Sequence, residues 1–112
     1  MAFSEIEITK YKQIMDAYLV KARPNEEIRK QVDVCYRIGN QSVEIFEIRN
    51  INNKIIESPI AKAKYVRTED RWQILWQRAD MKWHLYEPKI GVKTLNEFIK
   101  VIEKDEFGCF WG

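Results

Sequence analysis

The chain is poor in the residues that most often carry chemistry. Among 112 residues there are one histidine, two cysteines, four glycines and three prolines. Cys35 and Cys109 belong to no C-x-x-C pair and no His-rich stretch, so zinc-site spacing is not present. They are expected to be free, buried thiols of a reducing cytoplasm. No Gly-rich phosphate loop, nucleotide fingerprint or helix-turn-helix occurs, and no cofactor is implied. The first residues, "MAFSEIEITK", lack a basic segment followed by an apolar one, so no secretory signal is expected. No apolar run approaches the ~20 residues of a membrane span, and no membrane partner is expected. The formal charge is only +2, too small for a general attraction to nucleic acid or acidic lipid, though not for a local patch.

What remains is ordinary globular composition, 46% hydrophobic and 32% charged, in a length suited to a single domain over residues 1–112. Trp72, Trp76, Trp83 and Trp111 all fall in the C-terminal half.

The start has helix signals. Ser4 and Glu7 stand at capping-box spacing, with Phe3 and Ile8 placed as a hydrophobic staple. Tyr11, Ile14, Met15, Tyr18 and Leu19 recur at three and four, giving one apolar stripe that Pro24 ends. "PNEEIRKQ" is a polar connector with room for one helical turn. "VDVCYRI" alternates as a strand, "GNQS" has turn chemistry, and "VEIFEIRN" returns. Pairing Ile38 with Val43 sets Tyr36 against Ile45 and Arg37 against Glu44, and places Glu47 and Arg49 on the apolar face beside Val34 and Val32.

"NINNKIIESP" is expected as a loop. "IAKAKYVR" and "RWQILWQR" form a second hairpin around "TED", with Arg67 opposite Trp72, Tyr65 opposite Ile74 and Ala63 opposite Trp76. A tight turn at Ala79 and Asp80 leads to a fifth strand, Met81 to Glu87, ended by Pro88 and Gly91. In that register Met81, Trp83 and Leu85 face the core. Lys82, His84 and Tyr86 join Lys62, Lys64, Gln73 and Gln77 on the other face. Thr94 and Glu97 suggest a second capping box, Leu95, Phe98, Ile99 and Ile102 a second stripe, and Gly108 a stop. Phe110 and Trp111 should dock on the body. The fold expected is α+β: two layers, with a five-stranded antiparallel sheet (hairpin plus three-stranded meander) and an N-terminal and a C-terminal helix on one face.

The segments "FEIR", "AKAKYV", "RADMKWHLYEP" and "CFWG" together resemble the domain of unknown function 3024 family of small bacterial proteins. The resemblance spans nearly the whole chain. Asn50 stands where that family often has proline. The resemblance implies a bacterial cytoplasmic protein and no particular activity.

Three groups of residues carry the functional options. His84 has ionisable neighbours, but Asp80 lies about 13 Å away if the strand is fully extended, too far for contact unless the turn bends, so a polar strand face outweighs an acid–base site. Glu47 and Arg49, on an apolar face, should form a buried structural ion pair. With Asp33 they echo faintly the two carboxylates and cation of metal-dependent nucleases, but the register puts Asp33 on the opposite face, leaving one carboxylate and no metal site. Lys62, Lys64, Lys82, His84 and Tyr86 form a mildly basic open face suited to a nucleic acid or protein partner. The leading expectation is therefore a non-catalytic binding or accessory module, with no catalytic residue assigned. A small phosphodiester-cleaving enzyme using Glu47 and another carboxylate is the alternative. A subunit that dimerises through the open face is the third.

Overall fold

The structure, a computed structural model, describes residues 2–111. Helix α1 (Glu5–Ala22) and a single helical turn, α2 (Glu26–Arg29), precede strands β1 (Val32–Ile38), β2 (Ser42–Ile51), β3 (Lys54–Val66), β4 (Arg71–Gln77) and β5 (Trp83–Leu85). A 3-10 turn (Glu87–Lys89), strand β6 (Gly91–Val92) and helix α3 (Leu95–Lys104) complete the order. The sheet runs β1-β2-β3-β4-β5, with β6 also on β4, and every pairing is antiparallel. The fold is α+β, with α1 and α3 packed against the same face of the sheet. No helix among the described residues is long and apolar enough to cross a membrane.

Each helix begins where its cap is written. The Ser4 hydroxyl accepts from the Glu7 N–H at 3.2 Å, and the Glu7 carboxylate accepts from the Ser4 N–H at 2.9 Å, so two otherwise orphaned donors are satisfied. Thr94 caps α3 by accepting from the Glu97 N–H at 3.1 Å. Pro24 holds Arg23 extended (ψ 135°), which ends α1. Helix α3 stops at Lys104, earlier than Gly108: Asp105 takes the left-handed turn (φ 39°), and its carboxylate accepts from the Phe110 and Trp111 N–H groups. That carboxylate folds the tail back, where Phe110 packs on Tyr86 with ring centroids 4.8 Å apart.

Tyr11, Met15 and Tyr18 of α1 and Leu95, Phe98, Ile99 and Ile102 of α3 are buried against Val34, Val43, Ile45, Trp72 and Ile74 of the sheet. Large apolar side chains buried this way contribute roughly 1.5–3 kcal/mol each. Ala61 and Ala63 are wholly buried in the middle of β3. Their small side chains leave space for the helix layer above them. The Tyr36 hydroxyl donates to Asp16 at 2.7 Å, tying α1 to β1.

Four expectations are corrected. The segment after β2 is no loop: Asn52 and Asn53 both take positive φ (52° and 65°), the geometry of a tight hairpin, and β3 starts at once at Lys54. The β3–β4 register is two residues from the expected one, pairing Tyr65 with Trp72, Ala63 with Ile74 and Ala61 with Trp76. A shift of two preserves the faces. Arg67 leaves the strand because its guanidinium bonds Glu7 at 3.1 Å. The turn after β4 holds one residue more than expected, with Met81 left-handed at φ 65° and the Arg78 N–H donating to the Lys82 carbonyl. That single residue reverses β5: Trp76 pairs with His84, Gln77 with Trp83 and Leu75 with Leu85. Finally, the chain does not leave the sheet at Gly91. It returns to β4 as β6, so closely that a Cβ on Gly91 would lie 3.2 Å from the Trp72 carbonyl oxygen.

Candidate functional site

The open face of the sheet is built from every second residue of β1–β5. Cross-strand partners put Arg37, Glu44, Lys62, Leu75 and Leu85 in one row, and Lys64 beside Gln73 in the next. Of the five residues the sequence grouped there, Lys62 and Lys64 share the face. Lys82 lies in the turn before β5, exposed. His84 and Tyr86 are on the helix side instead: His84 pairs with Trp76, and Tyr86 is buried, with its phenol pKa raised by that burial. In their place the reversed strand brings Trp83 and Leu85 to the open face. The Lys62 ammonium stands 5.6 Å from the Trp83 ring centroid, within cation–π range. Arg37 covers the Phe46 ring at 4.3 Å and is ion-paired with Glu57.

His84 has the partner that an extended strand would have denied it. The bend at Met81 brings Asp80 back, and His84 Nε2 lies 2.8 Å from Asp80 Oδ2. The other Asp80 oxygen accepts from the Lys82 N–H at 2.9 Å. These contacts, the backbone bond first, hold the Asp80 carboxyl below its usual range. A carboxylate on one ring nitrogen orients an imidazole for proton transfer or for binding. His84 lines a hollow of about 460 Å³ with Trp76, Arg78, Trp83 and Cys109, yet among the described residues no hydrogen bond joins its ring to the thiol. The pair is a positioned imidazole without a bonded nucleophile.

Glu47 and Arg49 do pair, at 3.1 Å, but the pair is not buried: the arginine side chain is 45% exposed and the glutamate 16%. Glu47 faces a groove of about 470 Å³ between the C-terminal end of α1, α2, β1, α3 and the tail, where Glu103 is a second carboxylate. Asp33 points away from Glu47, on the strand position between Val32 and Val34. Both its oxygens are taken by Arg23, at 2.9 and 2.7 Å, which lowers its pKa. The Asp33–Glu47 combination of a nuclease centre is therefore not assembled. Among the described residues, no three metal-ligating side chains gather at one point.

The sequence missed two features. Trp83 and Leu85 on the open face depended on a turn length that alternation cannot supply. The groove depended on the packing of six separate segments, which no local pattern encodes.

No curated protein and no solved structure matches the chain. The family model described as domain of unknown function DUF3024 matches residues 3–112, and the chain belongs to that family.

Proposed function

We propose that the chain is a non-catalytic binding module of the bacterial cytoplasm, acting as one domain, and that a protein partner docks on its open sheet face. One observation carries this reading. Both long helices cover the same side of the sheet, while the uncovered side collects Leu75, Trp83 and Leu85 next to Lys62 and Gln77. Leu85 is 43% exposed. An apolar centre with aromatic content and a polar surround is the composition of a protein contact.

A polyanionic partner has less support. Glu44 stands opposite both Arg37 and Lys62, and Arg37 is bonded to Glu57, so no stripe of one sign runs along the face. The phosphodiester-cleaving alternative finds Glu47 and Glu103 in one groove, but among the described residues no third metal-ligating side chain joins them, and Asp33 is engaged by Arg23 on the other side of the strand. The cytoplasmic assignment is supported by Cys35 and Cys109, both free thiols, although half-buried rather than buried as expected. The bacterial one rests on the sequence resemblance.

The test is in-cell photo-crosslinking from position 85, with position 12, exposed on α1, as control. A discrete adduct from position 85 alone, lost with Trp83→Ser, is expected. Equal adducts from both positions would overturn the assignment. An adduct of twice the chain mass would make the partner a second copy.

A further inference from the structure

The groove beside Glu47 is separate from the open sheet face, and its chemistry is more specific. Its floor is apolar, built from Val32 and Val34 of β1 and Ile28 of α2. Trp111 forms one wall and is held there by two bonds, from its indole N–H to the Ile102 carbonyl at 3.2 Å and from its backbone N–H to Asp105 at 2.9 Å. The groove is thus shaped before anything enters it, as small-molecule sites usually are.

Its polar side chains are few: Tyr18, Lys21, Glu47 and Glu103. Tyr18 is only 5% exposed, and its hydroxyl makes no hydrogen bond among the described residues. Among the described residues no fully buried side-chain polar atom is left unpartnered, so this hydroxyl reaches the space of the groove it lines. Burial and the nearby Glu103 charge push its pKa up to about 12, so it stays a phenol there. Among the described residues Glu103 makes no ion pair, and Glu47 has one oxygen engaged by Arg49, leaving the other available. Among the described residues that line the groove Lys21 is the one cation, with Arg49 bonded to Glu47 beside it.

We propose that this groove binds a small amphipathic primary amine, its apolar body on Val32, Ile28 and Trp111 and its ammonium directed to Glu103 and Glu47. The ammonium donates to both carboxylates and Tyr18 adds a polar contact at the same end. An aromatic wall beside a carboxylate favours a cation over a neutral group of the same shape.

Phenethylamine, 2-phenylethanol and 3-phenylpropionate separate the options, followed by ¹H–¹⁵N NMR of the full chain with the Trp111 indole N–H as reporter. We expect the amine to shift Trp111 and to bind about tenfold or more tighter than the alcohol, the scale of one charge-assisted bond. Glu103→Gln, an exposed and unpaired position, should remove most of that preference, and Tyr18→Phe should weaken binding while leaving the fold intact. The proposal is overturned if the propionate binds as well as the amine, which would make Lys21 the recognising group, or if the amine shifts resonances only outside the groove. It is also overturned if Glu103→Gln leaves the amine's affinity unchanged. None of these outcomes bears on the open face, whose test uses position 85.

Discussion

Met81 and Asp105 share an unusual backbone conformation but should respond oppositely to glycine. Both have positive φ, 65° and 39°, where a Cβ crowds the following carbonyl. The Met81 side chain is 74% exposed and bonds nothing, so Met81→Gly relieves strain at little cost. The expected gain is up to about 1 kcal/mol, read as a higher urea midpoint. Asp105→Gly relieves the same strain but deletes the carboxylate that accepts from Phe110 and Trp111, freeing the tail. We expect a net loss of about 1–2 kcal/mol, together with a more mobile Trp111 by NMR relaxation. Ala63 is decided by volume alone. It is wholly buried between Val43 and Ile74 on neighbouring strands, so Ala63→Leu should cost about 1–3 kcal/mol in a denaturation series. An unchanged midpoint would contradict the packing described above.

Elements are held to one another by a few polar ties, and one of them sets a pH dependence. Glu7 caps α1 and also reaches Arg67 in the β3–β4 turn. The Arg67 hydrogen bond, then the Ser4 backbone N–H, lower its pKa from 4.5 to about 2. The unfolded chain therefore takes up this proton first as pH falls. The stabilisation is complete above about 4.5 and is lost between there and about 2. Glu7→Gln should flatten the fall of the urea midpoint across that interval, and parallel curves for the two proteins would argue against the tie.

The element scale also shows what the sequence could disclose. The facing sets of β1 through β4 were legible because alternation survives a register error of two, as the Tyr65–Trp72 pairing shows. The faces of β5 were not, because they turn on whether the loop before it has one residue more, and Met81 is no residue that announces a left-handed turn. The Asn52–Asn53 hairpin was written in plain turn chemistry, and its two isoleucines on the far side, Ile55 and Ile56, disguised the start of a strand. The proximity of His84 to Asp80 follows from the same bend and was hidden for the same reason. The groove was illegible altogether, since Tyr18, Glu47 and the Glu103–Trp111 stretch lie far apart along the chain and meet only through tertiary packing.

At the scale of the whole molecule, one strand sets the length. The 13 residues of β3 rise about 3.3 Å each, roughly 43 Å in all, and the molecule's longest dimension is 45 Å. Near its middle the register jumps: Ile45 faces Ala61 and Phe46 faces Pro59, leaving Ile60 as the extra residue of a bulge. On one side of the bulge, β3 lies between β2 and β4 beneath the helices. On the other side, Lys54–Pro59 has only β2 for a neighbour, and Ile51, Ile55 and Ile56 stand exposed. The two halves of one hairpin should thus have different lifetimes. In deuterium exchange, the bonded amides from Ala61 to Tyr65 should open only when the whole protein unfolds, and those nearer Asn53 by local fraying that costs far less. Raising the temperature modestly should narrow the gap, because opening the inner half takes the large unfolding enthalpy of the whole protein, whereas fraying of the outer half breaks little beyond its ladder. The bulge would then act as a hinge of cooperativity, letting an outer finger breathe while the platform behind it stays closed.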